Sequence, residues 1–415
     1  MSAVSDIHTL LDETVRRERG WVISSLVSKF GPGKVDLAED VAQDAILKAL
    51  STWPYKGIPK NPRAWLRRVA GNAAIDRVRR SAREFGVDED WNFGSVEDDI
   101  ITPSLSDPEL DLMVLCCDPV LEPRDQLFLA LKTVCGFTAS ETAALFFMTE
   151  DALSQRLSRA KRHLKPRSGD IARFPTRFAL KERRPALLKI IYLMFAWGYM
   201  PRRGALLFRE DVCREALRLS AALLDHAEGN AATHHALQAL LLFQMARLPA
   251  RLSDTGTLVT LEHQDRSVWD TSMIQDAFQH LERSRSGDVL TRYHLEAGIT
   301  SMHAQAASWE DTNFGAIARF YELLAKEVPS LAVEVNWATN LLLQGDFNRA
   351  QERLNQVSTM PGADHFPGYH LARAKLARSQ GDLGAARASL EAARACKTSD
   401  PVAAYIDQDM GLSDA

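Results

Sequence analysis

Apolar residues recur at three- and four-residue spacing along almost the whole chain. Stretches in which Val, Ile and Thr alternate with polar residues are nearly absent. That is the period of helices and not of strands, so an all-α fold is predicted. Residues 5–30 and 36–51 read as amphipathic helices split by Gly31-Pro32-Gly33, the second with Leu37, Val41, Ala45 and Leu50 on its apolar side. Trp53 to Pro62 is proline-rich and reads as a loop. Pro62 suits the first turn of the next helix, where its missing N–H is not needed, and that helix runs to about Arg83.

Residues 86–108 are acidic, with Gly, Ser and Pro, and read as a linker. Residues 109–166 give three or four short helices, and Pro166, Ser168, Gly169 and Pro175 mark a second boundary. The expected organisation is therefore 1–85, a linker over 86–108, 109–168, and a larger helical body over 175–415. Inside that body, Ala338, Gln344-Gly345-Asp346-Phe347, Ala350 and Leu354 recur as Ala374, Gln380-Gly381-Asp382-Leu383, Ala386 and Leu390, offset by 36 residues throughout. This resembles tetratricopeptide (TPR-like) helix pairs, with Gly at a helix C-terminus and small Ala where helices approach.

A length of 415 residues suits two to four domains, and 46% apolar content is ample for their cores. The formal charge of −4 excludes a uniformly basic nucleic-acid coat, so any DNA contact must come from local patches. The five cysteines, Cys116, Cys117, Cys135, Cys213 and Cys396, form no C-x-x-C pair, which points to neither a disulfide framework nor a zinc site. A reducing cytoplasm fits. No apolar leader and no run of about 18 apolar residues is present, so no membrane partner is expected.

Two basic segments concentrate the charge. Residues 61–83 hold seven arginines and one acid, Asp76, with Trp65 and Asn72 among them. Aromatic and amide groups interleaved with arginine suit single-stranded DNA, whose unstacked bases need a π-face and an edge partner. The plainer reading is a core formed by Trp65, Val69 and Ile75 with solvated arginines, and for Trp65 alone packing is the favoured fate. The second segment, Thr138 to Arg167, reads as a helix-turn-helix. Thr138 and Glu141 have capping-box spacing, Thr149-Glu150-Asp151 starts the second helix, and Leu153, Leu157, Ala160 and Leu164 form its core face. Residues 152–169 contain no acid, so the helix can enter a major groove, although a solvated basic helix in an ordinary bundle reads the same way. Between the two segments, residues 84–123 carry twelve Asp or Glu and no Lys or Arg.

Asp36-Leu37-Ala38-Glu39-Asp40-Val41-Ala42-Gln43-Asp44-Ala45, followed by Asn61-Pro62-Arg63-Ala64-Trp65-Leu66 and Ile75-Asp76-Arg77-Val78-Arg79-Arg80, resembles region 2 of a bacterial extracytoplasmic-function sigma factor. Gln155-Arg156-Leu157-Ser158-Arg159-Ala160-Lys161-Arg162 is similar to its region 4. Leu112 to Cys117, Ile190 to Phe195 and Gln264 to Asp270 resemble the subgroup with a large helical-repeat extension.

This resemblance implies a set of roles. Asp36, Glu39, Asp40, Gln43 and Asp44 would dock on the β′ clamp helices of core RNA polymerase, where an acidic face suits a basic partner. Trp65, Arg67, Arg68, Asn72, Arg77 and Arg80 would engage the −10 element of promoter DNA, with the loop from Pro54 to Lys60 beside them. Ser154, Gln155, Arg156, Arg159, Lys161 and Arg162 would read the −35 element, near the polymerase β flap. The acidic linker would imitate nucleic acid in the RNA-exit path, a solubilising tether being the plainer reading. The C-terminal body would regulate the sigma half, with or without a regulatory partner of its own.

No enzyme is expected and no cofactor or metal is implied. The histidines at 234, 235, 263, 294, 303, 365 and 370 are scattered, and no nucleophile–base pair or phosphate loop emerges. Asp265, Arg266 and Asp270 beside Trp269 read as a salt-bridged helix start. The main rival is a one-component regulator that binds duplex DNA through the helix-turn-helix alone. A tetratricopeptide-type scaffold with an N-terminal appendage is a third.

Overall fold

A computed structural model describes residues 14, 18–84, 107–146, 148–164, 177–201, 204–226 and 231–413. Among these the chain is helical, with two isolated bridges (Gly204 with Ser399, Leu252 with Leu258) and no strand. The acidic stretch 85–106 and Lys165 to Thr176 lie outside the described residues. The chain divides into two compact units, residues 1–194 and 195–415.

In the first unit, helix α1 covers residues 18–30 and buries Val22, Ile23, Leu26, Val27 and Phe30, a single 3.6-period stripe. Helix α2 spans Val35–Lys56 and α3 spans Pro62–Glu84. The buried register of α2 is Val35, Ala38, Val41, Ala42, Ala45, Ala49 and Trp53. Leu37 is only half-buried and Leu50 is 38% exposed, so the apolar side expected from sequence is rotated. Alanine occupies most of the seam and admits a close neighbour, which leaves the bulkier leucines outside. α2 also continues through Pro54, where a loop was expected. Trp53 is buried and meets Trp65 edge to face at 5.3 Å. That contact holds the last turn although Pro54 supplies no N–H to it. Gly57 closes the helix, its N–H donating to the Trp53 carbonyl at 2.9 Å.

Next come α4 (Pro108–Cys116), α5 (Pro123–Thr133), α6 (Ala139–Leu145) and α7 (Glu150–Leu164). The Asp107 side chain caps α4, accepting from the Glu109 and Leu110 N–H groups at 2.9 and 3.2 Å. α4 is buried on all sides, Glu109 and Asp111 included, as an apolar-all-round helix must be. From Asp107 onward the carboxylates of the acidic tract belong to a folded body. Helix α8 (Arg177–Tyr199) closes this unit over its first part. Arg183 donates to the Val114 carbonyl and to the Asp118 carboxylate, both at 2.8 Å, and Leu187, Leu188, Ile190 and Ile191 are buried. Each such aliphatic side chain stabilises the fold by roughly 1.5–3 kcal/mol.

The second unit is built on α10 (Ala232–Ala246), flanked by α9 (Glu210–Asp225), α11 (Thr271–Arg283) and α12 (Arg292–Gln305). Nearly every residue of α10 is buried. The Asp265–Asp270 segment is a helix start, but not a salt-bridged one. Asp265 accepts from the Ser267 N–H at 2.8 Å, Asp270 caps α11 through the Met273 N–H at 2.9 Å, and Arg266 donates to the carbonyls of His303 and Ala306 while lying over the Trp269 ring. The guanidinium serves the open carbonyls at the end of α12, where a cation is favoured.

Then follow α13 (Phe314–Glu327), α14 (Leu331–Leu343), α15 (Phe347–Ser358), α16 (Pro367–Ser379), α17 (Leu383–Ala395) and α18 (Asp400–Ser413). The 36-residue repeat lies in the pairs α14/α15 and α16/α17, and its two copies share their local chemistry. Gly345 and Gly381 take φ of 77° and 76° between the helices, a region side chains resist. Asp346 and Asp382 cap the following helices through the N–H groups of Arg349 and Ala385. Ala338, Ala350, Ala374 and Ala386 are buried at the helix crossings.

Candidate nucleic-acid interface

Helix α3 packs through Leu66, Ala70 and Ala74, all at most 1% exposed. The next position on that stripe is Arg77. It lies against α2 and donates to Asp44 at 2.6 Å and to Asp40 at 3.3 Å. Arg68 and Asn72 are exposed on the other side, and Arg79 joins them. Their i, i+4 and i+11 spacing places the three within about 40° of one another around the helix. Trp65 flanks this face, half-buried against Trp53. Arg80 is exposed beside it. Arg67 lies 5.8 Å from the centre of the Trp21 ring, and Arg63 stacks on the same ring at 4.9 Å while pairing with the buried Glu18. The six residues expected at the −10 element are therefore not one surface: Arg68, Asn72 and Arg80 face solvent, Trp65 borders them, Arg67 leans on α1 and Arg77 turns to α2.

The α6–α7 pair is organised by a capping box. Thr138 Oγ1 accepts from the Glu141 N–H at 3.1 Å, and Glu141 accepts from the Thr138 N–H at 2.7 Å. α6 ends at Leu145 with Phe146 as its C-cap, and Phe146 meets Phe128 edge to face at 4.7 Å. Leu153, Leu157 and Ala160 form the buried side of α7, while the Leu164 side chain lies outside what is described. Ser154, Gln155, Arg159 and Arg162 are exposed, with Ser158 on the same stripe. Arg156 is set apart, since it donates to Asp125 of α5 at 2.6 Å and lies over Phe128. Lys161 is set apart as well. Its ammonium reaches Asp36 at 3.0 Å and bonds Glu39, both on α2. Burial works against its charge, but the two carboxylates outweigh burial and hold Lys161 above its usual value.

The acidic face of α2 is thereby occupied by cations of the same chain. Asp36 and Glu39 take Lys161, and Asp40 and Asp44 take Arg77. Gln43 is exposed between them. One turn further on, Leu47 and Leu50 are 57% and 38% exposed, which makes the face acidic at one end and apolar at the other. Leu47, Arg79 and Ser158 join these faces without having been named among the expected docking or DNA-contacting residues. The signal was present as a helical continuation: Leu47 follows Asp40 and Asp44, Arg79 follows Asn72, and Ser158 follows Ser154.

In the second unit, the histidine that finds a partner histidine is His235. Its Nδ1 lies 2.9 Å from Nδ1 of His280, whereas His234 meets Ser220 at 3.2 Å. Burial and the neighbouring His235 push His280 down to about 4. Among the described residues no group of three or more His, Cys, Asp or Glu could hold a metal ion, and no helix is long and apolar enough to cross a membrane.

The Sigma-70 region 2 family matches residues 14–84, the part of the chain that contains α2 and α3. A family of unknown function (DUF6596) matches residues 183–285. An uncharacterized protein of Rhizobium meliloti (strain 1021) is 31% identical over 408 residues, which covers 94% of this chain and 95% of that protein. No solved structure matches the chain. An all-helical fold with sigma region 2 over residues 14–84 and the DUF6596 segment behind it leads to one assignment: the chain carries a sigma-70 region 2 domain followed by a DUF6596 domain, an arrangement consistent with an extracytoplasmic-function type sigma factor with a C-terminal extension.

Proposed function

We propose that the chain directs core RNA polymerase to promoters, with its C-terminal helical body modulating that activity. Region 2 carries the coarser role, transcription initiation through core RNA polymerase and promoter DNA, which is not an enzymatic role. The single observation that favours the finer reading is the solvent face of α3, where Arg68, Asn72 and Arg79 stand together beside Trp65. Such a face offers a ring for an unstacked base, an amide for its edge and cations for the flanking phosphates. In this reading residues 1–85 serve polymerase and the −10 element, 86–108 tether, and 109–168 read the −35 element beside the β flap. Ser154, Gln155, Arg159 and Arg162 would meet the groove as the second helix of a helix-turn-helix. The acidic face of α2, with Leu47 and Leu50, would dock on the β′ clamp helices in the cytoplasm. Residues 175–415 would be a TPR-like regulatory body whose repeated helix pairs offer a surface to a partner.

Run-off transcription tests this with the full chain, core polymerase and genomic promoter fragments. The expected result is specific initiation that depends on the protein and is lost in the triple variant R68A/N72A/R79A. A chain that binds duplex DNA tightly yet never initiates would replace the sigma reading with that of a one-component regulator.

A further inference from the structure

We propose that the second unit binds a small phosphorylated anion, held by Arg247, Arg251 and Arg266 around Tyr199. The site belongs to the C-terminal body alone and does not depend on how the chain meets promoters.

Three arginines converge here from two neighbouring turns. Arg247 caps α10, Arg251 ends the Leu248–Arg251 turn that follows, and Arg266 opens the Arg266–Val268 turn. The two turns pack on each other, and beside them the Asp270 N–H donates to the Ala246 carbonyl at 2.9 Å. The guanidiniums of Arg251 and Arg247 lie 3.7 and 6.0 Å from the centre of one ring, that of Tyr199 at the end of α8. Burial, then Arg247 and Arg266, push His303 down to about 3, so both cations act on one imidazole.

Among the described residues none of the three arginines forms an ion pair. Arg251 is 3% exposed and its partners are neutral: the Tyr199 carbonyl at 2.5 Å and the rings of Tyr199 and Phe208. Arg266 donates to the carbonyls of His303 and Ala306 and to the Thr312 hydroxyl, while Glu310 and Asp311 act on it from beyond ion-pair distance. The Arg247 side chain makes no hydrogen bond or ion pair among the described residues, and its Nε is buried. The Tyr199 hydroxyl is buried without a partner as well. Arginine does not shed its proton, and a buried cation with only neutral partners is costly. Burial first, with Arg247 adding to it, holds both Arg251 and Arg266 below their ordinary values.

A doubly charged anion with several oxygens answers this arrangement. Guanidinium forks match phosphoryl oxygens two at a time, and the Tyr199 hydroxyl can donate to a further one. Enclosure sets the size. Arg251 lies too deep for a duplex backbone to reach, whereas Arg247 is half-buried and leaves a way in for a small molecule.

Calorimetric titration of the full chain at fixed ionic strength tests this, with inorganic phosphate, adenosine monophosphate and malonate as probes. The parent should bind phosphate or the monoester and melt at a higher temperature in its presence. Arg247→Gln should weaken that binding about ten- to hundredfold. Its anion-free thermal midpoint should stay level or rise, because an unpaired cation beside two others is gone. A higher affinity for adenosine monophosphate than for phosphate assigns the site to a monoester, and an equal or lower one assigns it to free phosphate. Absence of binding by both overturns the site, as does equal binding by Arg247→Gln or malonate binding as tight as that of phosphate. If Arg247→Gln fails to fold, Tyr199→Phe takes its place, since it removes a hydroxyl with no partner in the chain. Binding should then weaken about fivefold, and unchanged affinity overturns the proposal.

Discussion

Arg77 donates to Asp44 at 2.6 Å across the α2–α3 contact, so a cation expected on DNA and a carboxylate expected on polymerase neutralise each other within one domain. The pair is half exposed, with side chains 41% and 52% accessible. Its worth to stability is therefore small, about 0.2–1 kcal/mol. Its effect lies in which charges remain for partners.

Salt dependence of duplex binding separates the arginines of α3. Each phosphate contact contributes close to one unit of slope in log K against log salt. Arg68→Ala and Arg79→Ala should each flatten that slope by about one. Arg77→Ala should leave it unchanged and alter the denaturation midpoint only slightly. Equal loss of slope in all three would place Arg77 on the DNA after all.

Leu47 supplies a test of the docking face. It is 57% exposed and contributes little to the core, so Leu47→Ala should leave the thermal midpoint unchanged. Removal of an apolar side chain that becomes buried in a complex costs about 1–2 kcal/mol, or roughly tenfold in affinity. Titration of core polymerase with labelled protein measures it. Unaltered affinity would move the docking surface elsewhere.

Gly381 tests the repeat. Its φ is 76° and no atom would crowd an added Cβ, so Gly381→Ala carries a purely backbone penalty of about 1–2 kcal/mol. Chemical denaturation of the full chain should show a transition at lower denaturant. A neutral outcome would mean that the turn between α16 and α17 relaxes out of the left-handed region.

Acid should loosen the second unit. Burial, with Arg247 and Arg266 adding to it, pushes His303 down to about 3, and burial with His235 pushes His280 to about 4. Both groups stay neutral in the fold where the unfolded chain would take up protons. Stability is therefore complete above about pH 6.5 and falls as pH drops towards these lowered values. For His303 alone the loss between pH 7 and pH 4 is on the order of 3 kcal/mol. Denaturation of the parent and of His303→Gln at both pH values measures it, with a smaller pH effect expected in the variant. Equal pH effects in the two proteins would clear His303 of the role.

Much of this was legible in the chain itself. The helical period, the capping box at Thr138 and Glu141, the glycines at 345 and 381 and the order of the basic segments are local features. Local features depend on residues a turn or two apart, and those are read directly. Which side of a helix is buried is a different matter. Leu50 and Val41 look alike in sequence, yet only Val41 is packed, because the partner helix decides how close the backbones come and alanine marks that seam. Pairing is more remote still. Lys161 with Glu39, Arg77 with Asp44 and His235 with His280 join positions 122, 33 and 45 residues apart, and no periodicity connects them. The sequence by itself determined an all-α sigma chain with two cationic helices. Only the tertiary structure decided which cations face solvent and which are already held by the chain's own carboxylates, because charge is a property of a residue whereas its partner is a property of the fold.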